Sequence, residues 1–197
     1  MDERLSDMLK CDLERLYVNK KKELKADGIR LKLIFLKYFV ITRSFRAVCS
    51  YRIINRRYKN GNGLIGLLEI FSSIINTVMI PHTVEIGGGL LMGHPECIII
   101  NPSVIMGKNA TVLHGVTIGG NIGKTRNGRS SAIIGDNVLI GAGAKILGPV
   151  EIGDNSMIGA NAVVIKDVPN NSVVVGNPGK VVKKVEKPYI EIEKDLY

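Results

Sequence analysis

A mainly β solenoid preceded by an α-helical segment is the fold class this sequence predicts, and three observations predict it. Aliphatic residues recur at every sixth position over most of the chain from Ile80 onward. The residues that follow them are small or turn-forming, as in IGDN, IGAG and IGAN. The first third lacks this period and instead spaces apolar and basic residues as helices do.

In chain order, residues 1–30 are dominated by polar and charged side chains, and KKELKADG ends in a Gly that predicts a helix terminus at Gly28. Residues 31–58 mix aliphatics with Arg at helical spacing. NGNG at 60–63 is a break, and 64–78 reads as a further helix. The apolar runs 31–41 and 64–80 are too short, or too interrupted by Lys, Glu69 and Asn76, to span a bilayer. The start, Met1 followed at once by acidic residues, predicts no secretory leader.

The repeat runs in three frames: Ile80, Ile86 and Met92; Ile100, Met106, Val112 and Ile118; then Ile134, Ile140, Ile146, Ile152, Ile158 and Val164. Four residues after many frame positions comes a second small or aliphatic residue, such as Val104, Ala110, Val116, Val138 and Ala144. One such hexad supplies a short strand and a corner whose inward side chains it cannot bury alone. Stacked coils bury them and pair the backbone about 4.8 Å above and below. The frame shifts mark two interruptions. GHPECIII carries two extra residues, and 119–133 reads as a polar, Gly-rich loop excluded from the coil, the kind of excursion that carries function.

Composition narrows the function classes. Residues 1–63 hold 16 Lys/Arg against 7 Asp/Glu, and the rest holds 11 of each, so the whole net charge of +9 sits in the N-terminal third. A neutral repeat tract excludes nucleic acid as a partner, while the basic N-terminus leaves open peripheral contact with an anionic membrane face. Cys11, Cys49 and Cys97 are too scattered for a disulfide framework or zinc knuckle, and they fit a cytoplasmic setting. His82, His94 and His114 lack the spacing of a zinc site, so no metal is expected.

Residues 80–184 resemble the left-handed parallel β-helix acyltransferases, through GLLMGHPECIII, VLHGVTIGG, IGDNVLIGAGAKILG, IGANAVVIKDVP and VVVGNPGKVV. More narrowly they look like the serine acetyltransferase branch and its colanic-acid and capsular polysaccharide relatives. The resemblance implies a helical segment over 1–78, a β-helix over 79–184 and a tail over 185–197. It also implies acetyl-CoA as co-substrate, a homotrimer or a hexamer built through the helices, and active sites between protomers. In such folds a coil takes three hexads. His94 and His114 are twenty positions apart, one coil plus the two-residue insertion, which stacks the two imidazoles on one edge; His82 falls elsewhere.

An imidazole pair at a coil corner suits proton transfer. By resemblance His94 is the general base, and His114 orients the acceptor or assists. The resemblance also implies that Gly120, Ala142 and Ala160 let the pantetheine arm approach the backbone. Lys166 and Lys180 would face the nucleotide phosphates. Arg129 and Glu96 are the acceptor-side candidates. Several positions depart from serine acetyltransferase: Gly93 precedes the base where Asp is usual, Met79 stands where the orienting acid would, Ser130 replaces a loop His, and 101–103 read NPS. Glu96, Glu85 or a backbone carbonyl remain as candidates to polarise His94. These departures favour a saccharide hydroxyl, in a surface polysaccharide or its precursor, over the alternative acceptor, serine. A zinc hydratase and a non-catalytic scaffold are the remaining readings.

Overall fold

The computed structural model describes residues 4–19, 24, 27–61, 63–189 and 191. Four helices precede the repeats: α1 (Leu5–Asn19), α2 (Gly28–Ile41), α3 (Arg43–Lys59) and α4 (Ile65–Ile75). The helical spacing over 31–58 is therefore shared by two helices, broken at Thr42, whose backbone is extended. Gly28 departs from expectation. It opens α2 rather than ending a helix, with φ +49, because a left-handed glycine reverses the chain equally well on entry and exit. Most of the helix expected before it lies outside the described residues, as does most of the C-terminal tail.

From Val78 the chain winds into a parallel β-helix with three faces. Face 1 stacks Val78–Met79, Ile98–Ile100, Thr117–Gly119, Lys145–Leu147 and Val163–Val164. Face 2 stacks Glu85–Ile86, Ile105–Met106, Ile133–Ile134 and Glu151–Ile152. Face 3 stacks Leu91–Gly93, Thr111–Leu113, Leu139–Ile140, Met157–Ile158 and Ser172–Val175, closed by the antiparallel strand Lys180–Lys184. Register records each interruption. Val78 lies opposite Ile98, Ile99 opposite Thr117 and Ile105 opposite Ile133. The first step is two residues longer than the eighteen of a regular coil and the last is ten longer, so the insertion at 93–97 and the excluded loop lie where the frames place them.

The frame side chains form the core. Met92, Ile118, Ile134, Ile140, Ile146 and Ile158 are all fully buried, interleaved with Val104, Ala110, Val116 and Ala144. Burial of each Ile contributes roughly 1.5–3 kcal/mol. Between faces 2 and 3, Asn109, Asn137, Asn155 and Asn171 all adopt positive φ and form a ladder, each Nδ2 donating to the next Oδ1 at 3.0 Å. Asparagine tolerates the left-handed region at a corner and satisfies its neighbours there, which explains why Asn recurs in the turns.

The helices close the N-terminal end of the solenoid. Ala47, Val48 and Tyr51 of α3 join the β-helix core, and the Tyr51 hydroxyl donates to Val84 O at 2.7 Å. Buried Arg52 pairs with buried Asp12 at 2.9 and 3.0 Å and donates to Ile86 O and Gly87 O. Asp12 also accepts the Gly89 and Leu90 N–H groups at 2.8 Å. A solenoid must cap its open core against water, and α3 with α1 does so here. Exposed apolar residues remain along α2 (Ile29, Leu33, Leu36, Val40) and α4 (Leu67, Ile70, Phe71, Ile74). No helix among the described residues is long and apolar enough to cross a membrane.

Candidate active site

His94 follows the strand Leu91–Gly93, and His114 follows Thr111–Leu113; Gly93 pairs in register with Leu113. Both imidazoles therefore leave the coil at the corner between faces 3 and 1, one coil apart. Their ring centroids lie 6.2 Å apart with planes at 80°, and both residues are exposed. Among the described residues neither ring has a hydrogen-bond partner.

The two inserted residues build the turn that presents His94. His94 and Cys97 have φ of 50° and 53°, a conformation that costs a residue with a Cβ of order 1–3 kcal/mol. Hydrogen bonds hold it: Glu96 N–H donates to His94 O at 2.7 Å, Cys97 N–H to Thr77 O at 2.9 Å, and Thr77 Oγ1 to Pro95 O at 3.1 Å. Below, Gly115 N–H donates to Glu96 O and Gly143 N–H to His114 O, tying successive corners together.

The corner continues as a rail of small side chains. Val112 pairs with Ile140 and Ile140 with Ile158, so Ala142 and Ala160 stack beneath His114 in the same file. Ala160 is exposed and Ala142 half-buried. Gly120 and Lys166 lie on the other edge of face 1, where Gly119 pairs with Leu147 and Ile146 with Val164. A Cβ on Gly120 would meet nothing closer than Ser130 O at 3.4 Å, so internal packing does not demand glycine there. Lys166 borders a shallow depression with Asn121, Lys124, Gly148 and Asp167. Lys180 is exposed at the start of the closing strand of face 3. A single protomer thus brings His94, His114, Ala142 and Ala160 together, carries Lys180 beside Val175 at the far end of the same edge, and holds Gly120 and Lys166 apart from them.

The acceptor-side candidates have other attachments. Glu96 is bridged to Arg43, the first residue of α3, at 3.3 Å. Glu85 is on face 2, away from the His corner. Neither carboxylate reaches the His94 ring in this conformation. Arg129 lies on the excluded loop beside Glu151 of face 2 at 3.7 Å, where Arg126 also pairs with Asp167 at 2.8 Å. His82 accounts for itself elsewhere. Its Nδ1 lies 2.8 Å from Glu69 Oε1 of α4, and its ring packs on Tyr58. Among the described residues no three metal-ligating side chains converge.

Sequence reasoning missed two contacts at the corner. Arg43 is fifty-three positions from Glu96, and no local pattern signals their meeting. Lys145 lies in the quoted segment AKILG, where its outward strand position reads as ordinary surface charge. Its Nζ in fact donates to Gly115 O at 2.6 Å, one residue from His114.

Comparison with known proteins addresses the acceptor. Residues 131–166 match the bacterial transferase hexapeptide (six repeats) family. The chloroplastic serine acetyltransferase 1 of Arabidopsis thaliana is 40% identical over 157 residues, 78% of this chain and 49% of that protein. The serine acetyltransferase of Mycobacterium tuberculosis is 40% identical over 137 residues, 69% of this chain and 59% of that protein. The chain thus spans about half the length of such curated relatives. Among solved structures, Neisseria gonorrhoeae serine acetyltransferase in complex with serine superposes with TM-score 0.74 at 33% identity, over 91% of this chain and 69% of that one. Brucella abortus serine acetyltransferase in complex with coenzyme A gives TM-score 0.74 at 30% identity, over 91% and 68%.

These relatives overturn the saccharide acceptor expected from the sequence and the closeness to polysaccharide acetyltransferases. Of the departures, Gly93 adjoins His94, Met79 lies on face 1, and 101–103 and Ser130 lie between face 1 and face 2. The matched identity, helices included, runs with enzymes named for serine. The chain is a hexapeptide-repeat protein of the left-handed β-helix type and belongs to the serine acetyltransferase family.

Proposed function

We propose that the chain is an acetyl-CoA-dependent serine O-acetyltransferase. The observation that carries this reading is the imidazole pair, 6.2 Å apart at a coil corner, set above the Ala142–Ala160 rail in a chain of this family. The small rail and the unconstrained Gly120 fit an extended pantetheine arm, and exposed Lys166 and Lys180 suit phosphate groups. His94 removes the proton of the serine hydroxyl as its oxygen attacks the thioester carbonyl. The new C–O bond forms as the C–S bond breaks, and the proton passes to the departing thiolate. No acyl-enzyme is needed, and His114 orients the hydroxyl or assists the base.

In this reading residues 79–184 carry the chemistry, 1–78 cap it, and three protomers pack edge to edge with the coenzyme between neighbours. That arrangement would bring the Gly120 and Lys166 edge of one protomer to a second protomer's His corner. Exposed Met79 and Ile99, register neighbours on face 1, support such packing, since contiguous apolar surface marks interfaces. The test is CoA release from acetyl-CoA with L-serine against a panel of sugars. Release that depends on millimolar serine supports the reading; no serine-dependent release refutes it.

A further inference from the structure

Acyl transfer needs two things of a site: a base for the nucleophile and a donor for the oxygen that becomes negative as the carbonyl turns tetrahedral. The imidazole pair supplies the first, and nothing named so far supplies the second. We propose that Lys145 is that donor, a further catalytic residue of the same site; the inference rests on the acetyl-transfer reading above.

The placement comes from the coil. Lys145 begins the face 1 strand Lys145–Leu147, opposite Thr117 above and Val163 below. Its side chain runs back toward the corner, and Nζ donates to Gly115 O at 2.6 Å. Gly115 directly follows His114, and Gly143 N–H donates to His114 O. The ammonium is thereby pinned between the level of the imidazoles and the level of Ala142, where the rail begins. A thioester whose pantetheine arm lies along the rail, with its carbonyl carbon within reach of a hydroxyl held by His94, presents its carbonyl oxygen at this junction.

The surroundings of the side chain suit the role. Lys145 is half-buried, and among the described residues it makes no ion pair and has one hydrogen-bond partner, the Gly115 carbonyl. An ammonium carries three N–H donors, so two remain for an incoming oxygen. A carboxylate partner would neutralise the cation, and the strand places none on it. One anchoring carbonyl fixes the direction of the side chain without consuming its charge, which is what preorganised stabilisation of a developing oxyanion requires. Arg129 is beside Glu151 on face 2 and Arg43 is bridged to Glu96, so both cations are already engaged by carboxylates.

The test uses the full chain and compares Lys145→Met, which keeps length and loses charge, with Lys145→Arg, which keeps both charge and donors. Lys145→Met should lower kcat by about 10²–10³-fold, with the serine KM and the CoA dissociation constant unchanged within about twofold, because an oxyanion contact exists only in the transition state. Lys145→Arg should recover part of kcat. Acetyl transfer to hydroxylamine as surrogate nucleophile should show the same ratio. Silence with serine in the wild-type protein would strike the serine reading, while the hydroxylamine ratio still judges Lys145. The proposal is overturned if Lys145→Met keeps kcat within about threefold, if serine KM or CoA affinity absorbs the loss, or if Lys145→Arg rescues the melting temperature but none of kcat.

Discussion

Replacing Asn137 with Ala tests the physical account of the coil corner. Asn137 has φ 55° and is half-buried at the corner between faces 2 and 3. It accepts from Asn109 Nδ2 and donates to Asn155 Oδ1, both at 3.0 Å. Ala loses both side-chain hydrogen bonds, each worth about 1 kcal/mol net, and takes on a left-handed conformation that costs a Cβ-bearing residue roughly 1–2 kcal/mol. Asparagine already bears part of that strain, and water reaches this corner, so the destabilisation should be about 2–3 kcal/mol. Asn137→Gly loses the same hydrogen bonds without the strain and should cost about 1 kcal/mol less than Ala. Urea unfolding followed by far-UV circular dichroism, at one fixed protein concentration because subunit association contributes to apparent stability, measures both. Equal destabilisation by Ala and Gly would refute the conformational part; an Ala variant as stable as the parent would refute the ladder.

Two further predictions concern ionisable groups. Burial first, then the nearby Asp12 carboxylate, pushes the Cys49 thiol up to about 12, whereas Cys11 and Cys97 are exposed. A disulfide reagent at neutral pH should therefore modify two thiols in the native protein and the third only on unfolding; three fast equivalents would contradict the packing around α3. Where the excluded loop meets the coil, the Glu151 backbone N–H, aided by Arg126 of the loop, holds the Asp167 carboxyl below its ordinary value. A depressed carboxyl stabilises above its unfolded pKa and loses that contribution as pH falls through the folded value. Hydrogen-exchange protection of the mutually bonded Arg126 and Arg129 amides should be full at neutral pH, fall at acid pH, and be reduced at neutral pH in Asp167→Asn. Unchanged protection in that variant would show that the loop is not tethered there.

The legible parts of this protein are those fixed by a short period. Ile134, Ile140, Ile146, Ile152 and Ile158 recur in sixes because three short strands and three corners close each coil, and all five are buried. The insertion before Ile98 and the loop before Ile133 were readable as frame shifts for the same reason. The end of the repeat was not. Met157 pairs with Val173, a step of sixteen, so the last coil is two residues short and the frame count stops at Val164. Contacts between distant elements left no periodic trace: Asp12 with Arg52, Arg43 with Glu96, Glu69 with His82. The imidazole pair was legible because its spacing equals one coil plus the insertion. The acceptor was not, because it depends on side chains around the corner rather than on the corner itself.

His94, at the coil corner above His114, is the base proposed to activate the acceptor hydroxyl. The kcat of His94→Ala for serine-dependent CoA release, compared with the parent under saturating substrates, tests it most directly. A fall of about 100-fold or more, with far-UV circular dichroism and subunit mass unchanged, is expected. Turnover within a few-fold of the parent in a folded His94→Ala protein would contradict it.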